Sequence, residues 1–400
     1  MTIHRSKGSL RSRSLSRIVL PFSLALALAG CGSSGDLACN ATGGGSCPAS
    51  PPGPEVLYGF ASTSLLNIGV TTTIDIGTGG FNSVSSGPTP FFGNGPAVVS
   101  NARFLYISNS FIDGQPNNGS QIFGYSISPT DGTLTQIAGS PFFLFPPPSS
   151  IQGLAITPNG QFLYGADLTG FIYGFSIDSG TGVLTLIPGS PLASGPNAQM
   201  AVDRTGKFLY ASNDNDPVDS ILAFTIDVSS GALTPVPNSP FAIPGATGGT
   251  SEPYGIVDAG NFVYTALVTN QVAGFSVDSQ TGALTPLPGS PFPAGSAPSF
   301  LAVTSSFLYA QNADGSISGY SIDSSGGTLT PLPGSPFVGL NAETLATDPS
   351  EQFLYLGTFK GIQGYNIDSA TGALSLGSAN FGEDGALWLT TVLLPSSTAQ

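Results

Sequence analysis

The chain of 400 residues is 40% hydrophobic and only 8% charged, with 54 glycines, 34 prolines and a formal charge of -14. Five of its nine cations precede residue 18, which leaves Arg103, Arg204, Lys207 and Lys360 against 23 carboxylates and puts the remaining body near -19. Such a surface lacks the basic stripes that nucleic acids require, which excludes nucleic-acid binding. The single histidine is His4, so nothing downstream supplies an imidazole for a general base, a Ser-His dyad or a metal site.

Residues 1–30 have the parts of an export signal: a basic region (Arg5, Lys7, Arg11, Arg13, Arg17), an apolar run over 18–29, and small residues before Cys31. The run is too short to cross a bilayer as a stable helix. Leu28-Ala29-Gly30-Cys31 resembles the bacterial lipobox, which implies a diacylglycerol on Cys31 and attachment to the lipid bilayer; plain secretory cleavage is the alternative. By the same resemblance Gly32, in place of an aspartate, implies the outer membrane. Residues 31–54 form a Gly/Ser/Pro tether that holds a domain off a membrane. In an oxidising compartment Cys39 and Cys47 are expected to close a small disulfide loop, preferred to a metal site because no His or further Cys completes one.

From residue 55 onward the chain repeats itself. Residues 273–293 (AGFSVDSQTGALTPLPGSPFP) show the unit clearly: a strand holding Phe275 and Val277, an Asp-Ser-Gln-Thr-Gly turn, a second strand from Leu284, and a Pro-Gly-Ser-Pro segment. Aspartate bonds nearby N–H groups in such a turn, glycine takes positive φ, and the two prolines, which lack donors, are expected to end the ladder. Asp178, Asp227, Asp278, Asp323 and Asp368 occupy this turn once per copy and are read as structural, not catalytic. Ahead of each hairpin lies a triplet: Phe104-Leu105-Tyr106, Phe162-Leu163-Tyr164, Phe208-Leu209-Tyr210, Phe262-Val263-Tyr264, Phe307-Leu308-Tyr309, Phe353-Leu354-Tyr355 and, weaker, Val56-Leu57-Tyr58. Apolar on both faces, such a strand wants cover on both sides. The triplet tyrosines are 48, 58, 46, 54, 45 and 46 residues apart, the period of four-stranded propeller blades.

These seven copies predict an all-β fold over 55–400: a seven-bladed β-propeller of four-stranded antiparallel blades, one body large enough to bury roughly three quarters of its surface. Each blade should run from an inner strand A (153–157, 200–203, 254–258, 300–304, 344–348) through the triplet strand B to the hairpin strands C and D. The first copy has no strand A before it, and residues 386–392, which hold Trp388, match strand A with no triplet after them. The C-terminal strand is therefore expected to complete the first blade and seal the ring, removing exposed sheet edges.

Antiparallel connectivity puts A–B and C–D turns on one face, with B–C loops and D–A connectors on the other, which carries ligands in propellers generally. Arg103, Arg204 and Lys207 fall on the first. The second collects Asp113, Asp167, Asp214, Asp216, Asp219, Glu252, Asp314 and Glu343, with Lys360 as its cation, a field that disfavours phosphorylated substrates. The B–C loop over 213–219 alternates oxygen side chains, so Asp214, Asp216 and Asp219 are candidate ligands for calcium, against the reading of a solvated acidic turn; no other cofactor is expected. The PFFLFPPPS segment over 141–149 is either a partner- or membrane-facing patch or self-packed cover on a blade rim.

Strand B ending in Phe-Leu-Tyr, Gly-Phe-Ser-Ile-Asp at strand C and Thr-Gly-x-Leu-Thr after it resemble the lactonase family of seven-bladed propellers, which includes 6-phosphogluconolactonases and muconate lactonising enzymes. The resemblance covers about 55–395 and rests on structural repeat residues. It implies hydrolysis or formation of a lactone, using His, Arg and acidic residues in the central mouth; no His or paired Arg here receives that assignment. Two readings follow. One is a cell-envelope lipoprotein acting as a binding or scaffold module, its ligand a protein, a glycan or a small molecule at the acidic face. The other is a lactone hydrolase using Glu252 or Glu343, with metal help. A purely structural envelope component is a third.

Overall fold

The computed structural model describes residues 54–62, 67–75, 78, 81–87, 97–109, 121–143, 151–167, 169–195, 197–214, 219–246, 252–339, 342–358, 361–382 and 388–394. The expected export signal, Cys31, Cys39, Cys47 and all of the expected tether except Pro54 lie outside the described residues. Within them the strands form seven antiparallel sheets. In the fifth, strand A (Pro253–Asp258) pairs with B (Phe262–Leu267), B with C (Gln271–Val277), and C with Leu284–Pro286. No described helix is long and apolar enough to cross a membrane.

The inner strands close a circle. Trp388–Leu393, Ala97–Ser100, Ile151–Ile156, Asn197–Val202, Pro253–Asp258, Pro298–Val303 and Ala342–Thr347 each pack against the next, and the last packs against the first. Closure follows the expected route: Trp388–Leu393 pairs with Glu55–Ser62 in register Phe60 with Trp388 through Glu55 with Leu393, and so becomes strand A of the first blade. Side chains tie neighbouring inner strands together: the Thr391 hydroxyl donates to the Thr347 carbonyl (2.9 Å) and the Thr347 hydroxyl to the Val303 carbonyl (3.3 Å).

The triplets lie between blades, as their two apolar faces require, and their tyrosines are fully buried. Six of these seven hydroxyls donate to the following blade. Tyr58, Tyr106, Tyr164, Tyr210, Tyr264 and Tyr309 donate to the carbonyls of Gly132, Gly182, Gly231, Gly282, Gly327 and Gly372, at 2.6–3.2 Å. These glycines are the hairpin-turn glycines, all at φ near +70°. One residue type thus shapes a turn and accepts the bond that fastens the preceding blade. The turn aspartates act as expected: Asp278 Oδ1 accepts from the N–H groups of Gln280 and Thr281, each at 2.9 Å, and these bonds hold its carboxyl below the usual range.

The outer edge corrects the expected end of the ladder at Pro-Gly-Ser-Pro. Strand D is split in two, and the chain returns past that segment to pair with strand C again, as Phe292–Pro293 does with Gln271 and Val272. The same happens at Phe142–Phe143, Leu192–Ala193, Phe241–Ala242 and Phe337–Val338. The proline segment bulges instead of terminating, because its serine supplies the missing hydrogen-bonding group. Ser290 Oγ accepts from the Gly274 N–H at 2.9 Å, and Ser140, Ser190, Ser239 and Ser335 serve Gly124, Gly174, Ala223 and Gly319. Phe142 is half-buried against the second and third blades while Phe143 is 55% exposed, so the described start of the 141–149 segment divides between the two expectations.

Candidate functional site at the ring mouth

The two faces differ in how their charges are used. On the A–B turn face, Arg103 donates to the Ser179 carbonyl at 2.7 Å and Arg204 pairs with Asp258 at 3.3 Å, so both guanidinium groups already have partners. Burial pushes Asp258 up to about 6 despite that arginine. A cavity of about 280 Å³ lies on this face between the fourth, fifth and sixth blades, beside Arg204, Phe208 and Phe262. It is on the opposite side of the ring from the acidic loops.

At the mouth, strand A carries a feature that the sequence reading missed. In five blades its register against strand B shifts near its start, leaving extra residues unpaired: Gln152, the pair 198–199, the pair 254–255, Ser299 and Glu343. This is why the strands start one to three residues earlier than predicted. Bulges of this kind bend a strand locally and re-aim the extra side chain. Repetition around the ring gathers Gln152, Gln199, Tyr254, Ser299 and Glu343 at the end of the inner strands where the B–C loops emerge.

The described members of this collar are bonded to one another or to their own blades. Gln199 Nε2 donates to the Gln152 carbonyl (3.1 Å), the Gln199 N–H donates to Ser212 Oγ (3.0 Å), and Ser299 Oγ donates to Gln311 Oε1 (2.6 Å). The Tyr254 ring meets Phe300 edge-on with centroids 5.5 Å apart. Amides and hydroxyls gathered in this way, with Gln199 and Ser299 held by hydrogen bonds, suit a ligand rich in hydroxyl groups.

Above the collar the structure brings three of the predicted acids together. Asp219 is fully buried where the B–C loop rejoins strand C, and Asp214 at the loop's other end hydrogen-bonds its carboxyl. Desolvation first, then the charges of Asp219 and Glu252, raise Asp214 above its ordinary value. Glu252 is exposed on the D–A connector at φ +35, a left-handed conformation unusual for a non-glycine residue. Beneath the loop Asn213 Nδ2 donates to Ser220 Oγ at 2.9 Å, while the buried Asn213 Oδ1 accepts no hydrogen bond.

Other predicted mouth acids are spent on their own loops. Asp167 accepts from the N–H groups of Thr169 and Phe171, and Asp314 from Ser316. Glu343 stands at the strand A bulge of the seventh blade. Asp113, Asp216 and Lys360 lie outside the described residues. Among the described residues no group of three or more acidic, His or Cys side chains is arranged to hold a metal ion, so the described part of the calcium proposal rests on Asp214 and Asp219.

A closed ring of seven four-stranded blades with a polar mouth defines a β-propeller. The family described as lactonase, seven-bladed beta-propeller, matches residues 145–248 and 260–386, and the chain belongs to it. No curated protein matches the sequence. Among solved structures, a protein assigned as a 6-phosphogluconolactonase from Bacteroides fragilis aligns with TM-score 0.68 and 19% identity, covering 87% of this chain and 100% of its own. The periplasmic gluconolactonase of Pseudomonas aeruginosa aligns with TM-score 0.63 and 17% identity, covering 86% and 99%. At these identities the likeness is one of fold.

Proposed function

We propose that the chain binds and hydrolyses an uncharged, polyhydroxylated lactone at the ring mouth. The observation that carries this reading is the convergence of Glu252, Asp214 and Asp219 over a collar of amide and hydroxyl groups, in a ring of the lactonase family. The gluconolactonase named among the structural neighbours points to the same substrate class.

In this reading Glu252, exposed at the lip, takes a proton from water as the water oxygen attacks the lactone carbonyl carbon. The ring C–O bond then breaks, and the leaving alkoxide receives a proton to give the open hydroxy acid. Asp214, beside Asp219 and raised above its ordinary value by burial and by the charges of Asp219 and Glu252, is the group assigned to return that proton. Glu343 is the alternative base from the seventh blade. The acidic field opposes a phosphorylated substrate.

A panel of aldonolactones followed by acid release tests this. Glu252→Gln and Asp214→Asn should each lower kcat/KM by roughly 10²-fold or more, the range of general acid–base catalysis. The binding-module reading is favoured by the lack of any described Lys or Arg at the mouth and of any histidine beyond His4. It predicts saturable lactone or glycan binding with no turnover in the parent. Calcium held through Asp214, Asp216 and Asp219 is tested in the same assay with chelator. Export and attachment to the outer membrane through a lipid on Cys31 are part of the proposal, and labelling with a radioactive fatty acid, lost in Cys31→Ser, tests them.

A further inference from the structure

The ring is closed without a covalent bond at one place, the pairing of Trp388–Leu393 with Glu55–Ser62 inside the first blade, and where the second of these strands faces the seventh blade two buried carboxyls meet. Glu55, 2% exposed, opens strand B of the first blade; Asp348, 1% exposed, follows strand A of the seventh. Their carboxyls hydrogen-bond each other, which requires a proton between them. The remaining bonds say which residue holds it. Asp348 is saturated as an acceptor: Oδ1 takes the Phe353 N–H at 2.6 Å, and Oδ2 takes the Ser350 N–H at 2.9 Å and the Ser350 hydroxyl. Glu55 Oε2 is buried and accepts nothing, and the Glu55 carboxyl takes one main-chain N–H, that of Ser350, against the three donors on Asp348. Glu55 is therefore the donor.

We infer that this boundary is a proton-held latch: in the closed ring Glu55 is neutral and donates to Asp348, and loss of its proton loosens the strand that seals the circle. Immediately ahead of the other six triplets stand Arg103, Gln161, Lys207, Asn261, Ser306 and Gln352, so an acid occupies this position in the first blade alone. The groups facing Glu55 from the seventh blade are the Asp348 carboxyl, the Ser350 N–H and the Tyr355 hydroxyl, which burial first and then both carboxyls push upward. On its own sheet Glu55 pairs with Ile74, one residue before Asp75, and with Leu393 of the terminal strand, which carries no ionisable residue. No cation is among the groups that set its charge. A deprotonated Glu55 would thus put a second negative charge beside Asp348 in a buried site.

Burial, reinforced by the neighbouring Asp348 charge, raises Glu55 from 4.5 to about 8. The folded state then holds a proton that the unfolded state has released. Stability from this group is complete below about pH 4.5, declines as pH rises, and is exhausted above about 8.

Hydrogen exchange of the full chain at pH 6 to 8.5, corrected for the intrinsic rate, tests the latch on Trp388–Leu393, with the inner strand Pro298–Val303 as internal reference. Single-proton linkage predicts that protection of Trp388–Leu393 falls by up to about tenfold per pH unit below pH 8, and the reference strand by less. Glu55→Gln, whose amide still donates to Asp348, should flatten the profile. A flat profile in the parent, or one with the same slope in Glu55→Gln, overturns the inference. The parent measurement decides against it on its own should the variant not fold, and Asp348→Asn, which removes the facing charge, supplies a second slope that must be shallower than the parent's.

Discussion

Gly282 shows how much one residue carries in this ring. It holds φ +74, its carbonyl accepts the Tyr210 hydroxyl, and a Cβ there would overlap the Phe208 ring of the preceding blade. Gly282→Ala should therefore cost about 2 kcal/mol or more in urea unfolding, from left-handed strain and overlap together. Gly189 has φ +87 with open space around it, so Gly189→Ala should cost only the conformational part, about 1–2 kcal/mol. Equal losses at the two sites would remove the packing argument. In the same way Tyr264→Phe leaves the buried Gly327 carbonyl without its donor and should cost about 1–3 kcal/mol. The aromatic triplets were readable in the sequence because apolar side chains on both faces demand cover. The hydroxyl partners were not, since they lie 63 to 76 residues away in the next blade. Glu55 was equally hidden: the Asp348 it meets lies far along the chain and is adjacent only once the ring closes.

At the level of the strand, two departures from the expected blade share a cause, which is that polar side chains can replace main-chain partners. Read from proline alone, the Pro-Gly-Ser-Pro segment ends a ladder; with its serine bonded to strand C it interrupts strand D and lets pairing resume. Ser290→Ala should leave the Gly274 N–H without its acceptor, cost about 1–3 kcal/mol, and raise hydrogen exchange at Phe292 and the facing Gln271 and Val272 before the rest of the blade. Exchange spread evenly over the molecule would mean that the serine is no local clasp. The inner strands begin early for a related reason. Gln152, Gln199 and Ser299 do not look like strand residues, and the bulges that hold them are register shifts, for which a single copy of the repeat has no local sign. Their recurrence at one position in five blades was the available signal. The acidic loops beside them were legible from composition, but that Asp214, Asp219 and Glu252 would meet while Asp167 and Asp314 cap their own loops depended on main-chain geometry.

For the whole molecule the question is how seven similar sheets become one object. A repeat whose units touch only their neighbours is a row, and a row has two open edges. Here the final strand removes both: its Trp388–Leu393 backbone pairs with Glu55–Ser62, its inner side packs against Ala97–Ser100 and Ala342–Thr347, and Leu389 is fully buried. That arrangement was visible in the sequence as a unit missing its first strand at one end and a strand without its unit at the other. Ending the chain before Gly385 should therefore do more than remove one strand. It exposes the edge of Glu55–Ser62, strips cover from Leu57 and Tyr355, and forfeits about 1.5–3 kcal/mol for Leu389 alone. The shortened chain should melt at lower temperature and associate at concentrations where the parent is monodisperse, and a synthetic peptide spanning 385–395 should restore part of both by adding a strand in trans. Calorimetry and light scattering with and without the peptide read the outcome. Unchanged melting in the shortened chain would mean that packing between the blades holds the circle without its seam.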